Sequence, residues 1–234
     1  MIMTNLKEMT KKELYIFFLA ATFGGFMVGV GGVGLLISMS AFEGAMGQLI
    51  GAIIFSLAMF VVTVFGLYLV TGLSTSIVTM GKHNWLTFFI ALVFNVVGIA
   101  LSALLVNLSH VEVNEIATIV MDNKICDDGW VLHSLCSGIL CGILIGLSVF
   151  LSKYAAKKHL SSTVGVIFPV FVFVFCGFDN SLANLFYTLL SSHISLTMIG
   201  YFFISLIGNM IGGVLVSLLP ILKEMDKLHG YDDE

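Results

Sequence analysis

Arginine is absent from this 234-residue sequence, and charged residues of every kind make up only 10% of it. A soluble domain of ordinary composition carries about 25% charged residues, so a soluble enzyme or binding module is excluded. Without a basic stripe, nucleic acid is not an expected partner. Proline is nearly missing: only Pro169 and Pro220 occur, and no Asn-Pro-Ala motif of the kind used by water and glycerol channels is present. An intramembrane enzyme would need metal ligands or a nucleophile–base pair inside the membrane, and no HExxH is present. Cys126, Cys136, Cys141 and Cys176 show no CxxC or zinc spacing. Three of them lie in apolar stretches and read as small hydrophobes. The histidines fall in loops or at span ends and form no site, so no metal or other cofactor is expected. Lys7, Lys11 and Lys12 precede a long apolar run with no small-residue cleavage site, and no removable signal peptide is expected.

What fills the sequence is apolar residue. Hydrophobic side chains make up 59% of it, glycine contributes 24 residues, and the mean hydropathy is +1.08. Such a chain is already solvated in a lipid bilayer, where small residues let helices approach closely. A span takes about 20 apolar residues. Runs of that kind occupy about 14–39, 47–80, 85–106, 130–152, 161–190 and 194–219, which makes six. The second and fifth are too long for one plain helix. Each carries small or polar residues part-way: Gly66, Thr71, Gly72 and Ser74 in one, Gly177, Asp179, Asn180 and Asn184 in the other. Irregular backbone at membrane depth is tolerated only inside protein or beside a wet cavity.

Lysine sets the expected orientation. With the N-terminus inside, Lys7, Lys11, Lys12, Lys82, Lys153, Lys157, Lys158, Lys223 and Lys227 face the cytoplasm and only Lys124 lies outside. Lys124 falls in an acidic outer loop, 107–129, with Asp122 and Asp127 nearby.

The halves resemble each other at an offset of about 111–114. Gly24 and Gly32 answer to Gly138 and Gly146, Gly66 to Gly177, and Asn95-Val-Val-Gly98 to Asn209-Met-Ile-Gly212. Three spans per half put the second half upside down, and inverted repeats hold their shared site near the bilayer midplane. The expected fold is an all-α membrane protein, a single transmembrane domain over 1–234. Its repeats cover about 14–106 and about 130–219, with the second and fifth helices broken.

Phe175-Cys-Gly-Phe-Asp-Asn-Ser-Leu-Ala-Asn184 resembles the Gly-Phe-Glu-His-Ser-x-Ala-Asn signature of the formate/nitrite transporter family. Gly66-Leu-Tyr-Leu-Val-Thr-Gly72, Gly138-Ile-Leu-Cys141 and Gly208-Asn-Met-Ile-Gly-Gly213 are similar to its other motifs, in order and at the expected spacing. The resemblance implies an aquaporin-like fold, one pore per protomer, and a homopentamer in a plasma or inner membrane. Its substrates would be small monovalent anions: formate first, with nitrite, hydrosulfide, acetate and lactate as alternatives. Three departures stand out. Asn180 replaces the central histidine, Gly142 replaces a fourth-helix asparagine, and Tyr68, Val70 and Leu73 stand where Glu, Phe and Asn are usual.

Individual residues admit competing readings. Asp179, the only carboxylate well inside a span, either shapes the field at the pore centre or anchors the broken loop through backbone N–H groups. Asn180 either donates to a passing solute or caps the loop. Thr71, taken as its counterpart in the other half, either donates its hydroxyl or caps a helix. Lys124 either draws anions to the outer vestibule or is a solvated loop charge paired to Asp122 or Asp127. By resemblance, Phe55, Phe173 and Ile145 form an outer hydrophobic constriction and Met59, Leu69 and Val70 an inner one. Apolar rings oppose a bare anion by several kcal/mol of lost hydration, and a neutral acid by much less.

Overall fold

A computed structural model describes residues 9–76, 85–157 and 162–219. Lys7, Lys82, Lys158, Lys223, Lys227, His83, His159, His229, Pro220 and the tail 231–234 lie outside the described residues, as do the side chains of Lys153 and Lys157. The elements are all helical: α1 (Lys11–Ala41), α2 (Ala45–Val64), α3 (Val70–Leu73) running into a 3₁₀ turn at Ser74–Ser76, α4 (Trp85–Leu108), α5 (Asn114–Lys124), α6 (Trp130–Lys157), α7 (Ser162–Phe175), α8 (Ser181–Leu190) and α9 (Leu196–Ser217).

Among the described residues, α1, α2, α4, α6 and α9 are each long and apolar enough to cross a bilayer; α7 and α8 are shorter apolar helices. The run 161–190 is therefore two helices, and 47–80 holds α2 with α3. The segment 107–129, expected as a loop, contains α5, and Lys124 closes its last turn.

The polarity is inverted relative to a soluble protein. Phe23, Leu57, Phe89, Leu104 and Phe203 are exposed, whereas Asn95, Asp179, Asn180, Asn184 and Asn209 are buried. An outer surface this apolar suits lipid rather than water. With its spans, it makes the chain an integral membrane protein.

Local chemistry fixes the ends. Thr10 and Glu13 form a reciprocal capping box that starts α1. At the end of α2, Gly66 takes φ 62°, the Leu67 N–H donates to the Val62 carbonyl at 2.9 Å, and the Gly66 N–H to Thr63 at 3.1 Å. The end of α7 repeats this: Gly177 takes φ 72°, Phe178 N–H donates to Phe173 at 2.9 Å and Gly177 N–H to Val174 at 3.0 Å. This pair of bonds is the Schellman closure, and its left-handed residue is normally glycine because a Cβ is strained there.

Packing pairs α1 with α2 and α4, and α6 with α7 and α9, while α2 meets α7. Gly98 packs against the backbone of Thr22 and Phe26, and Gly212 against that of Ile139 and Ile143. Gly25 lies on the backbone of Asn95 as Gly142 lies on that of Asn209. These contacts match Gly25 with Gly142, nearly one helical turn from the pairing of Gly24 with Gly138 expected from sequence.

Candidate permeation site

Two buried asparagines fix the chain where α2 and α7 give way to α3 and α8. Asn95 Nδ2 donates to the carbonyls of Ala21 and Tyr68, both at 2.8 Å, and its Oδ1 accepts from Val70 N–H at 2.8 Å. Asn209 Nδ2 donates to the carbonyls of Gly138 at 2.9 Å and Asp179 at 2.7 Å, and its Oδ1 accepts from Ser181 N–H at 2.9 Å. Each side chain thus grips the residues on either side of a helix N-cap, Leu69 in one case and Asn180 in the other. Leu69, rather than Thr71, is the positional counterpart of Asn180.

Asn180 meets the capping expectation. Its Oδ1 caps α8, accepting from Leu182 N–H at 3.0 Å and Ala183 N–H at 3.3 Å. Those bonds fix the amide orientation, and Nδ2 has no acceptor among the described residues. Thr71 is buried, and its Oγ1 also lacks a partner among them. A buried hydroxyl without a partner is unusual unless a water or solute serves it.

Two cavities reach this point. One, of about 250 Å³, is lined by Met59, Leu69, Thr71, Ile145, Phe173 and Asn180, with further hydroxyl residues from α2 (Thr63), the 3₁₀ turn (Thr75) and α6 (Ser148, Ser152). The other, of about 260 Å³, lies towards α5 and includes Gln48, Phe55, Lys124, Phe173, Asn180 and Tyr187. Asn180 and Phe173 line both. Phe55 and Phe173 meet edge to face with ring centres 6.0 Å apart. Ile145 lines the first cavity with Met59 and Leu69 instead of joining Phe55 at the second. Val70 lines neither: it is wholly buried, and its N–H is held by Asn95.

Asp179 is held by side chains, not by the backbone N–H groups expected. Its Oδ1 accepts from Lys124 Nζ and, at 3.0 Å, from Asn184 Nδ2, and its Oδ2 accepts from the Tyr201 hydroxyl at 2.8 Å. Its own N–H donates to Ser137 Oγ at 3.0 Å. Lys124 is therefore not a solvated loop charge paired to Asp122 or Asp127. Asp122 instead lies 3.1 Å from His193 Nε2.

Sequence reasoning passed over Tyr201, Ser137 and Gln48, the last of which donates to the Val174 carbonyl at 2.5 Å. None carries a local signal, since each is a single polar residue in an apolar run. Asn95 and Asn209 had one, the matched Asn-x-x-Gly motifs, but it did not reveal what they hold.

The sequence matches the description "Formate/nitrite transporter" over residues 1–222. It is 26% identical over 190 residues to the formate channel FocB of Escherichia coli K12, covering 76% of this chain and 67% of that protein. It is 29% identical over 202 residues to the formate channel FocA of the same strain, covering 76% and 66%. The fold superposes on an FNT family ion channel with TM-score 0.79 at 20% identity, covering 91% of each chain. It matches a pentameric formate channel with formate bound at TM-score 0.78 and 20% identity, covering 93% of this chain and all of that one. The chain belongs to the formate/nitrite transporter family.

Proposed function

We propose that the chain is a pore for small monovalent anions, formate first among them, carried with a proton or as the neutral acid. The observation that carries this reading is the meeting of two cavities at Asn180, whose Nδ2 has no acceptor among the described residues, beside one of which lies the Thr71 hydroxyl, also without a partner among them. The names of FocA and FocB support formate as the substrate. Nitrite, hydrosulfide, acetate and lactate are the alternatives within the same class; a water or glycerol channel or a structural subunit has less support.

In this reading α2 with α3, and α7 with α8, are the second and fifth of six spans. Each is broken after its glycine, and the two halves are inverted repeats. The parallel grips of Asn95 and Asn209 support the repeat. The cavity beside α3 opens on the cytoplasmic side, where Lys11 and Lys12 lie, and the cavity beside α5 is the outer vestibule. Both termini are cytoplasmic, the membrane is the plasma or inner membrane, and the pentameric relative supports a homopentamer.

The edge-to-face Phe55 and Phe173 pair stands between the vestibules as an apolar step. A bare anion loses several kcal/mol of hydration there, and a neutral acid much less. Asn180 carries no charge and cannot supply a proton, so the proton travels with the substrate. Proteoliposomes holding the full chain should accumulate labelled formate faster than empty vesicles, with nitrite and acetate competing. Uptake equal to that of empty vesicles would refute the pore.

A further inference from the structure

Tyr201 touches both members of the buried ion pair by two different parts of one side chain. Its hydroxyl donates to Asp179 Oδ2 at 2.8 Å, and its ring lies under Lys124, with Nζ 5.8 Å from the ring centre. A cation within about 6 Å of an aromatic face is attracted by the ring quadrupole, more so where water is excluded. The ring itself is fixed. It stacks on Trp130 at 6.2 Å with planes 28° apart, and the Tyr201 carbonyl accepts from Ser134 Oγ at 3.3 Å. Gly200 leaves the room for Trp130, since a Cβ there would lie 3.1 Å from the indole. Tyr201 itself is fully buried.

The pair needs such a clamp. Lys124 arrives from the last turn of α5, Asp179 from the turn between α7 and α8, and no backbone element joins them. Lysine is a flexible point charge that prefers water, and its side chain keeps partial access to the cavity beside α5. Asp179 Oδ1 is occupied by Lys124 and Asn184, which leaves Oδ2 to Tyr201.

We propose that Tyr201 is a positioning residue: it holds Asp179 through its hydroxyl and Lys124 through its ring face, keeping the lysine turned into the protein. Its consequence for transport rests on the pore reading; its consequence for Lys124 does not. With the lysine held in, the outer vestibule offers a neutralised pair instead of a free cation.

The test is acetylation of the purified full chain by N-hydroxysuccinimidyl acetate, read residue by residue by mass spectrometry. Lys11 and Lys12, both exposed, serve as internal references. Lys124 in the unmodified protein should react at least about fivefold more slowly than either. Tyr201→Phe, which removes only the hydroxyl, should raise the Lys124 rate roughly threefold, and Tyr201→Leu, which also removes the ring face, should raise it further. Lys11 and Lys12 should not change. Formate uptake should fall in the same order. A Lys124 rate unaltered in both variants would overturn the proposal. So would a Lys124 as reactive as Lys11 in the unmodified protein, a result that needs no variant to assemble. Protection and release of Lys124 as expected, in a protein that moves no anion, would leave Tyr201 in its role and remove the pore reading instead.

Discussion

Thr71 and Lys124 lead to opposite predictions. The Thr71 hydroxyl is buried and bonded to nothing among the described residues, so it contributes no bond to the fold. Thr71→Val keeps the shape and deletes the orphan oxygen. Removing an unsatisfied polar group is neutral or stabilising, so the melting temperature in detergent should hold or rise. Formate uptake should nonetheless fall by about tenfold, the loss of one hydrogen bond to the solute. A destabilised protein with normal uptake would make the hydroxyl structural. Lys124 should behave in the opposite way. Lys124→Gln strands the buried Asp179 carboxylate, at a cost of about 3 kcal/mol, visible as a lower melting temperature. Asp179→Asn in the same chain removes the stranded charge and should recover most of that loss. Failure of the double variant to recover would mean that the pair is not what the stability depends on.

Helices were readable where their pattern is long and apolar. The runs 14–39, 85–106, 130–152 and 194–219 fall on α1, α4, α6 and α9 because continuous hydropathy is the signal for a span. That signal cannot see α5, a short helix with polar and charged positions, so from sequence Lys124 falls in a loop, whether as an attractor of anions or as a solvated charge. Asp179 was identified as buried, but its partners come from α5, α8 and α9, and sequence distance hides them. The pairing of Gly24 with Gly138 misses the contacts by nearly one turn, while that of Gly66 with Gly177 matches them, because glycine is frequent enough in α1 and α6 to align in more than one register. A Cβ at Gly142 would lie 2.3 Å from the Asn209 carbonyl oxygen and 2.7 Å from its Cα, so α6 and α9 sit too close for a larger side chain. Gly142→Asn should push these helices apart and loosen the Asn209 grip on Asp179 and Ser181. The expected result is a lower melting temperature and a smaller yield of assembled protein. Unchanged thermal stability would show that the contact yields without cost.

The whole molecule is a lipid-facing shell around a buried polar seam, with a cavity on either side of that seam. Composition was enough to place the chain in a membrane, and the motifs to place it in its family. The central question is what Asn180 does in the proposed pore. It is fixed by its cap and carries no titratable proton, so in the proposed mechanism the proton crosses on the substrate. The decisive measurement follows formate and proton entry together, in proteoliposomes with an internal pH dye, as the external pH is lowered. The account predicts that uptake rises with acidity and that about one proton enters with each formate. Formate entry that is flat across pH and leaves the internal pH unchanged would contradict it, and the pore would be a plain anion channel.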